Sequence, residues 1–174
     1  MKKIIIGLIL LGCMAQNFAQ EEIRIPEAVI ILEEVEIRSI NYKYLNSVGT
    51  SEVALPVKML EKKVANFDIL NSKYYLVEER YHYVLFKIPE GKILAVYNNK
   101  GEIVRTSEKF RDIPLALCIS NAVVDKYPGW RITGDIYLVK YKSKNKTTSK
   151  VYTLFIEKDG KKKRLKTDEK GNIL

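Results

Sequence analysis

The chain has 174 residues and a formal net charge of +9, with 47% apolar and 29% charged residues. This length suits one domain or two small ones, and the composition excludes a chain that is disordered throughout. Residues 21–139 hold 16 basic and 17 acidic residues, whereas residues 140–174 hold 12 basic and 4 acidic ones. The basic C-terminal part favours an anionic partner or surface. The alternative is that its lysines are only solvated and protect strand edges from pairing.

Residues 1–20 have the three parts of a secretory signal peptide. Lys2 and Lys3 precede an apolar run, Ile4–Leu11, that is too short to span a bilayer. Small residues for cleavage follow in Ala15–Gln20. We therefore exclude residues 1–20 from the fold and expect a periplasmic or secreted protein with no transmembrane segment in the mature chain.

The signal region also contains Leu10-Leu11-Gly12-Cys13, which resembles a bacterial lipobox. Cleavage before Cys13 would leave a lipidated cysteine, so a lipoprotein anchored at Cys13 is the alternative localisation. If export is soluble, Cys118 is the sole cysteine of the mature chain, and an internal disulfide is impossible.

Residues 21–50 are predicted to form an N-terminal extended segment and linker. Ile23–Ile40 is rich in Ile, Val and Glu and predicts one or two strands, with a turn or linker at 46–50. The first folded unit follows at 51–112. Its helix begins at Pro56, because Val57, Leu60, Val64 and Phe67 have helical spacing. Strands are predicted at 73–79, 82–88, 92–98 and 102–107.

The second unit is predicted at 113–174. Its helix begins at Pro114, carries Leu115, Cys118 and Ala122 on one stripe, and ends near Lys126, before a Pro-Gly turn. Strands are predicted at 130–142, 150–157, 161–167 and 171–174, with a polar turn at 145–149.

The two units share a repeated stretch. Phe86–Val104 recurs as Phe155–Leu174, and the repeat pairs Phe86 with Phe155, Gly91 with Gly160 and Gly101 with Gly171. We predict an α+β fold in which a unit of one helix and a four-stranded antiparallel sheet is duplicated in tandem. Each unit would pack its helix on one sheet face and leave the other face open.

Four stretches carry a family resemblance: residues 41–45 (NYKYL), 57–61 (VKMLE), 97–103 (YNNKGEI) and 127–130 (YPGW). With the tandem units, they resemble the PepSY-like, β-lactamase-inhibitor-like (BLIP-like) exported proteins of Bacteroidetes. The resemblance implies a periplasmic or secreted location and no known enzyme activity. In the inhibitor branch of the family, open sheet faces hold a protein. No residue here matches the contacts of that branch, so the resemblance transfers no binding residue.

The sequence predicts no enzyme, no metal site and no cofactor. His82 is the single histidine and lies within a tyrosine-rich predicted strand, where neither a zinc ligand set nor a proton relay can form around it. Cys118 occupies a helix position that predicts a core residue. Signatures for phosphate loops and serine nucleophiles are absent from the sequence. An enzyme that uses only carboxylates stays open, because such pairs can be distant in sequence.

The predicted binding residues are Lys140, Lys142, Lys162, Arg164 and Tyr97. Strand alternation places Lys140 and Lys142 on one sheet face. It also places Lys162 and Arg164 on one face of a strand that is predicted to be a neighbour of theirs. Tyr97 belongs to a set of strand tyrosines suited to anchor an interface. We predict a non-catalytic binding module for a protein or an anionic envelope ligand, and not for nucleic acid. The alternative is a structural or assembly component of the cell envelope.

Overall fold

The structure is a computed structural model that describes residues 40–50 and 52–174. These residues belong to one compact unit. The predicted signal peptide, the lipidation at Cys13 and the strands in Ile23–Ile40 lie outside the described residues, apart from Ile40 itself. The elements follow in chain order: α1 (Tyr42–Val48), α2 (Leu55–Ala65), β1 (Tyr81–Ile88), β2 (Gly91–Asn98), β3 (Ile103–Arg111), α3 (Leu117–Lys126), β4 (Arg131–Lys142), β5 (Thr147–Lys158) and β6 (Lys161–Thr167).

The six strands form one antiparallel sheet in which each strand pairs with the next in the chain, from β1 to β6. The α+β class predicted from the sequence is confirmed. The predicted pair of separate four-stranded units is not found in the described chain. Three strands follow α2, three follow α3, and β3 pairs with β4 from Arg105↔Lys142 to Arg111↔Ile136, so the two halves share one sheet.

Four predicted elements differ from the structure. The second-unit helix begins at Leu117 rather than at Pro114, and it buries Ile119 and Val123 rather than the predicted stripe of Leu115, Cys118 and Ala122. Residues 73–79 form turns rather than a strand, with backbone bonds from Tyr75 N to Ser72 O and from Glu79 N to Leu76 O. Residues 171–174 contribute one bridge, between Thr167 and Ile173, rather than a strand. The stretch predicted as a turn at 46–50 is instead largely the end of α1, because Val48 is buried one helical turn after Tyr44.

The helices pack on the same face of the sheet, which we call the inner face. Val57, Leu60 and Val64 of α2 and Ile119 and Val123 of α3 are buried there. The inner-facing strand residues complete a single hydrophobic core: Val84, Phe86, Ile93, Ala95, Tyr97, Phe110, Tyr137, Val139, Tyr141, Tyr152, Leu154, Ile156 and Leu165. The other face, the outer face, therefore lies opposite the helical layer.

The two glycine turns of the sequence repeat have the same local structure. In the first turn, Asn98 Oδ1 accepts bonds from the backbone N–H groups of Lys100 and Glu102, and Gly101 has φ +76°. In the second turn, Asp168 Oδ1 accepts the corresponding bonds from Lys170 and Asn172. Gly171 there has φ +87°. Glycine suits both turns because it adopts positive φ without a Cβ clash.

Candidate interaction site

The outer face of the sheet carries none of the described helices. Alternation along each strand turns every second side chain toward it. All three described helices contribute to the opposite, inner layer. The outer face is thus set by the sheet alone, and its chemistry follows from the residues at alternate strand positions.

Those positions are dominated by cations. Strand alternation and the register place eleven basic side chains on the outer face, against one acid, Glu157. Glu157 is already paired, since its Oε1 lies 3.1 Å from Nη2 of Arg131. The eleven cations are Lys87, Lys92, Arg105, Lys109, Arg111, Arg131, Lys140, Lys142, Lys162, Arg164 and Lys166.

Four of the five predicted binding residues lie on this face and are exposed: Lys140, Lys142, Lys162 and Arg164. The two pairs do not lie on neighbouring strands as predicted, because β5 lies between β4 and β6. Lys140 is six residues along β4 from Gly134, and the register carries Gly134 through Phe155 to Arg164. At about 3.3 Å per residue, roughly 20 Å separates the rows of Lys140 and Arg164. One small anion therefore cannot bridge both pairs.

Tyr97, the fifth predicted residue, lies in the core. Its side chain is fully buried on the inner face, and its hydroxyl donates a 2.7 Å hydrogen bond to the backbone carbonyl of Val64. A partner on either surface of the sheet cannot reach it without unfolding α2. The strand periodicity was ambiguous here because β2 contains an irregularity between Val96 and Tyr97, where consecutive residues are both buried.

A lysine row that sequence reasoning missed crosses three strands of the outer face. Lys87 lies opposite Lys92, and Lys92 lies opposite Lys109. Arg111 joins them around a surface cavity of about 330 Å³ at the β1–β2 turn. Among the described residues, none of these four cations forms an ion pair. Like charges directly opposite each other destabilise a sheet, so this row favours an anionic partner.

An aromatic and cationic groove lies at the other end of the same strands. It encloses about 420 Å³ and is lined by Tyr81, Tyr83, Arg105 and Lys142, among others. Nη2 of Arg105 donates a 3.3 Å hydrogen bond to the Tyr83 hydroxyl, and its guanidinium lies 5.7 Å from the centre of the Tyr83 ring. The groove therefore combines a fixed cation with exposed aromatic surface, and it includes the predicted residue Lys142.

Two buried carboxyl groups on the inner side were not singled out by the sequence. Glu61 of α2 and Glu108 of β3 are 1% and 2% exposed. Burial, together with the charge of Glu108, raises the pKa of Glu61 to about 8. Burial raises the pKa of Glu108 to about 7, although hydrogen bonds from Thr106 and Tyr44 oppose the shift. Neither carboxyl lines the cavity at the β1–β2 turn or the groove beside Tyr83.

The single histidine lies in the core, whereas Cys118, predicted as a core residue, is only partly buried and lines a surface cavity with Glu52 and Glu169. His82 is buried, its ring lies 4.6 Å from that of Tyr75, and its Nδ1 accepts a 3.5 Å contact from the Leu76 N–H. The thiol of Cys118 lies 3.6 Å from the backbone carbonyl of Glu169. Within residues 40–50 and 52–174, no three His, Cys, Asp or Glu side chains gather as a metal site.

Comparisons of the chain with protein-family models, curated proteins and solved structures found no match. The helices of the described segments are too short or too polar to cross a bilayer.

Proposed function

We propose that this chain is an exported, non-catalytic binding module that holds a partner on the outer face of its sheet. The observation that carries the proposal is the ratio of eleven cations to one acid on a face opposite all the described helices. Such a face attracts an anionic partner and orients it during association. Export rests on the signal-like residues 1–20.

The partner that fits best is a protein with an acidic surface. The rows of Lys140 and Arg164 lie about 20 Å apart, so a partner that meets both must present several anionic groups over that distance. Between the rows, the face carries partly exposed Ile136 and Leu138, and exposed Phe155 lies in the row of Arg164. Neighbouring strands differ in direction by about 20–25°, so β1 and β6 differ by roughly 100° and a flat bilayer cannot meet the whole face. The PepSY-like, BLIP-like resemblance supports a protein partner, and an anionic envelope ligand is the second class.

The proposal is tested by capture of partners from a native envelope extract with two matched variants. The first replaces Lys140, Lys142, Lys162 and Arg164 with Gln on the outer face. The control replaces four exposed lysines of the helical side with Gln, namely Lys43, Lys62, Lys63 and Lys126. Both variants lose four positive charges, so only the position of the charges differs.

The expected result is a partner that the unchanged protein and the control capture at low salt, and that the outer-face variant loses. Because exposed charges are screened over about 10 Å at 0.1 M salt, high salt should weaken the same capture. The proposal would be overturned if the outer-face variant still captured the partner, or if the control lost the partner to the same extent. Vesicles that contain anionic lipid, offered separately, distinguish a lipid ligand from a protein.

A second candidate function is a structural or assembly component of the cell envelope, favoured by the lipobox-like residues before Cys13. Mass spectrometry of the mature N-terminus distinguishes the two localisations. Acylated Cys13 supports an anchor, whereas a start near Gln20 supports soluble export.

We also propose that the two halves of the fold derive from one duplicated unit. The matching hydrogen bonds of the turns at Gly101 and Gly171 support this origin, as does the order of one helix and three strands in each half.

A further inference from the structure

The free edge of β1 is a second surface, independent of the cations on the outer face. β1 pairs with β2 over all eight residues from Tyr81 to Ile88. On its other side, no backbone hydrogen bond of the described chain uses the strand. An unpaired strand edge of this length is a template for another strand, and natural proteins usually protect such edges.

Exposed apolar side chains concentrate in β1 and in the residues that precede it in the chain. Residues 70–85 contribute seven of the sixteen large apolar side chains that are exposed in the described chain. They include Tyr83 and Leu85 on the outer side of β1 and Val77, 80% exposed, in the preceding turns. The seven are Leu70, Tyr74, Leu76, Val77, Tyr81, Tyr83 and Leu85. The exposed apolar side chains on β1 itself, Tyr81, Tyr83 and Leu85, favour an interaction site at this edge.

The opposite edge of the sheet is protected. β6 has the sequence KKKRLKT, and charged side chains, lysine above all, discourage pairing between edges. The C-terminal residues also occupy part of this edge, since Leu174 N donates to Lys166 O at 2.9 Å and Ile173 bridges to Thr167. The described sheet thus has one edge open to pairing and one edge that is charged and partly occupied.

We propose that two copies of this chain pair through their β1 edges to form a continuous twelve-stranded antiparallel sheet. An antiparallel pairing with its two-fold axis at Val84 places Tyr81 opposite Lys87 of the second copy and Tyr83 opposite its Leu85. Directly opposite residues share a face, and all four point outward in β1. Each copy then contributes an aromatic–aliphatic pair, and no like charges lie directly opposite each other between Tyr81 and Lys87.

Charges of both signs flank β1. Glu78, Glu79 and Arg80 precede the strand, Lys87 lies near its end, and Glu90 follows in the turn. In the antiparallel pair, the Lys87–Glu90 end of each copy meets the Glu78–Arg80 end of the other, so the seam is mixed in charge and suits a second copy better than an acidic partner. Because the contact is two-fold and the charged β6 edge discourages pairing, the assembly closes at two chains and does not extend into a fibre. The dimer joins two outer faces into one larger binding surface.

Sedimentation velocity or light scattering on the full chain tests the dimer. A single chain has a mass of 20.1 kDa, and at micromolar concentration we expect a particle with twice the mass of one chain. The variant Tyr83→Lys/Leu85→Lys places four lysines at the seam and should be monomeric, with an unchanged circular dichroism spectrum. Leu94→Lys is the matched control. Leu94 lies opposite Leu85 on β2, is similarly exposed at 39% against 48%, and is one strand away from the edge.

The control should remain a dimer. Dissociation of Leu94→Lys to the same extent would assign the contact to the outer face and overturn the edge pairing. If the unsubstituted protein is monomeric, the dimer proposal is overturned. The β1 edge would then be available to an extended segment of another protein. A Tyr83→Lys/Leu85→Lys variant that stays dimeric also refutes the proposal.

The register has its own test. In this register, Val84 of one copy lies opposite Val84 of the other at the two-fold axis, with a Cα–Cα separation of about 4.5–5.5 Å. This separation permits a disulfide. In a Cys13→Ser, Cys118→Ser background, Val84→Cys should therefore form a covalent dimer on mild oxidation, and Leu94→Cys should not. Failure of Val84→Cys to cross-link a chain that is dimeric in solution would refute this register.

Discussion

The hydroxyl of Tyr44 in α1 donates a 2.9 Å hydrogen bond to Oε1 of Glu108 in the middle of β3. Both side chains are almost fully buried, so a carboxyl group lies in the helix–sheet core. Thr106 donates a second bond, of 2.7 Å, to the same oxygen, while Oε2 of Glu108 has no partner in the described chain. Burial, the charge of Glu108 and the charge of Glu61 all raise the pKa of the Tyr44 hydroxyl. This cluster makes the stability of the fold dependent on protonation.

Stability should fall as the pH rises from about 5 to about 8. Burial raises the pKa of Glu61 to about 8 and that of Glu108 to about 7, from 4.5 in both cases. The folded state therefore holds protons that the unfolded state has released, and the free energy of unfolding decreases through this range. Thermal unfolding between pH 4.5 and 9 measures the slope. A melting temperature that rises from pH 5 to pH 8 would contradict the assignment.

Glu61→Gln/Glu108→Gln should remove most of this slope and raise the melting temperature at pH 8.5 by several degrees. The amide keeps the shape of the carboxyl group but avoids a buried charge, whose cost is on the order of a few kcal/mol. A shallower slope should remain below pH 6, because burial also raises the pKa of Asp135 to about 6. The matched control, Glu78→Gln/Asp125→Asn, changes two exposed carboxyl groups and should keep the slope of the unchanged protein.

Tyr44→Phe should destabilise the fold by about 1–3 kcal/mol, because it removes a donor from a buried acceptor. The loss should be greater at pH 8.5 than at pH 5, since an ionised Glu108 depends more on its donors than a protonated one. Urea unfolding at the two pH values measures this difference. Tyr74→Phe, at a residue that is 50% exposed, is the control and should change stability little at either pH. An equal loss from Tyr44→Phe at both pH values would show that Glu108 does not ionise in this range.

The sequence predicted the elements whose side chains have a strong local period. The helix stripe of Val57, Leu60 and Val64 and the strand alternation around Tyr83 and Leu85 correspond to observed elements. Residues 73–79 have the composition of a strand but lie in turns, because strand formation needs a neighbouring partner as well as suitable side chains. Whether the halves shared one sheet depended on the long-range pairing of β3 with β4, which no local pattern specifies.

The candidate site was predictable to a similar extent. Alternation correctly placed Lys140 and Lys142 on one face, and Lys162 and Arg164 on one face, because both strands are regular there. The lysine row through Lys87 could not be found, since it appears only when the registers of three strands are known. Glu108 also lacked a signal, because its burial depends on α1 and α2 packing over β3.

The register that creates the lysine row can be tested at Gly91, where β2 begins beside β3. A Cβ at this position would lie 2.4 Å from the backbone carbonyl oxygen of Lys109 and 2.8 Å from Cα of Phe110. Backbone atoms cannot move aside as a flexible side chain can, so Gly91→Ala should cost several kcal/mol, on the order of 3 or more. Gly160 is the equivalent glycine of the sequence repeat, and it has no atom within 4 Å of such a Cβ, although its φ is +73°. Gly160→Ala should therefore cost only the strain of positive φ, about 1–2 kcal/mol. Urea unfolding of the two variants compares the costs, and a larger loss for Gly160→Ala would show that β2 and β3 do not approach each other in this register.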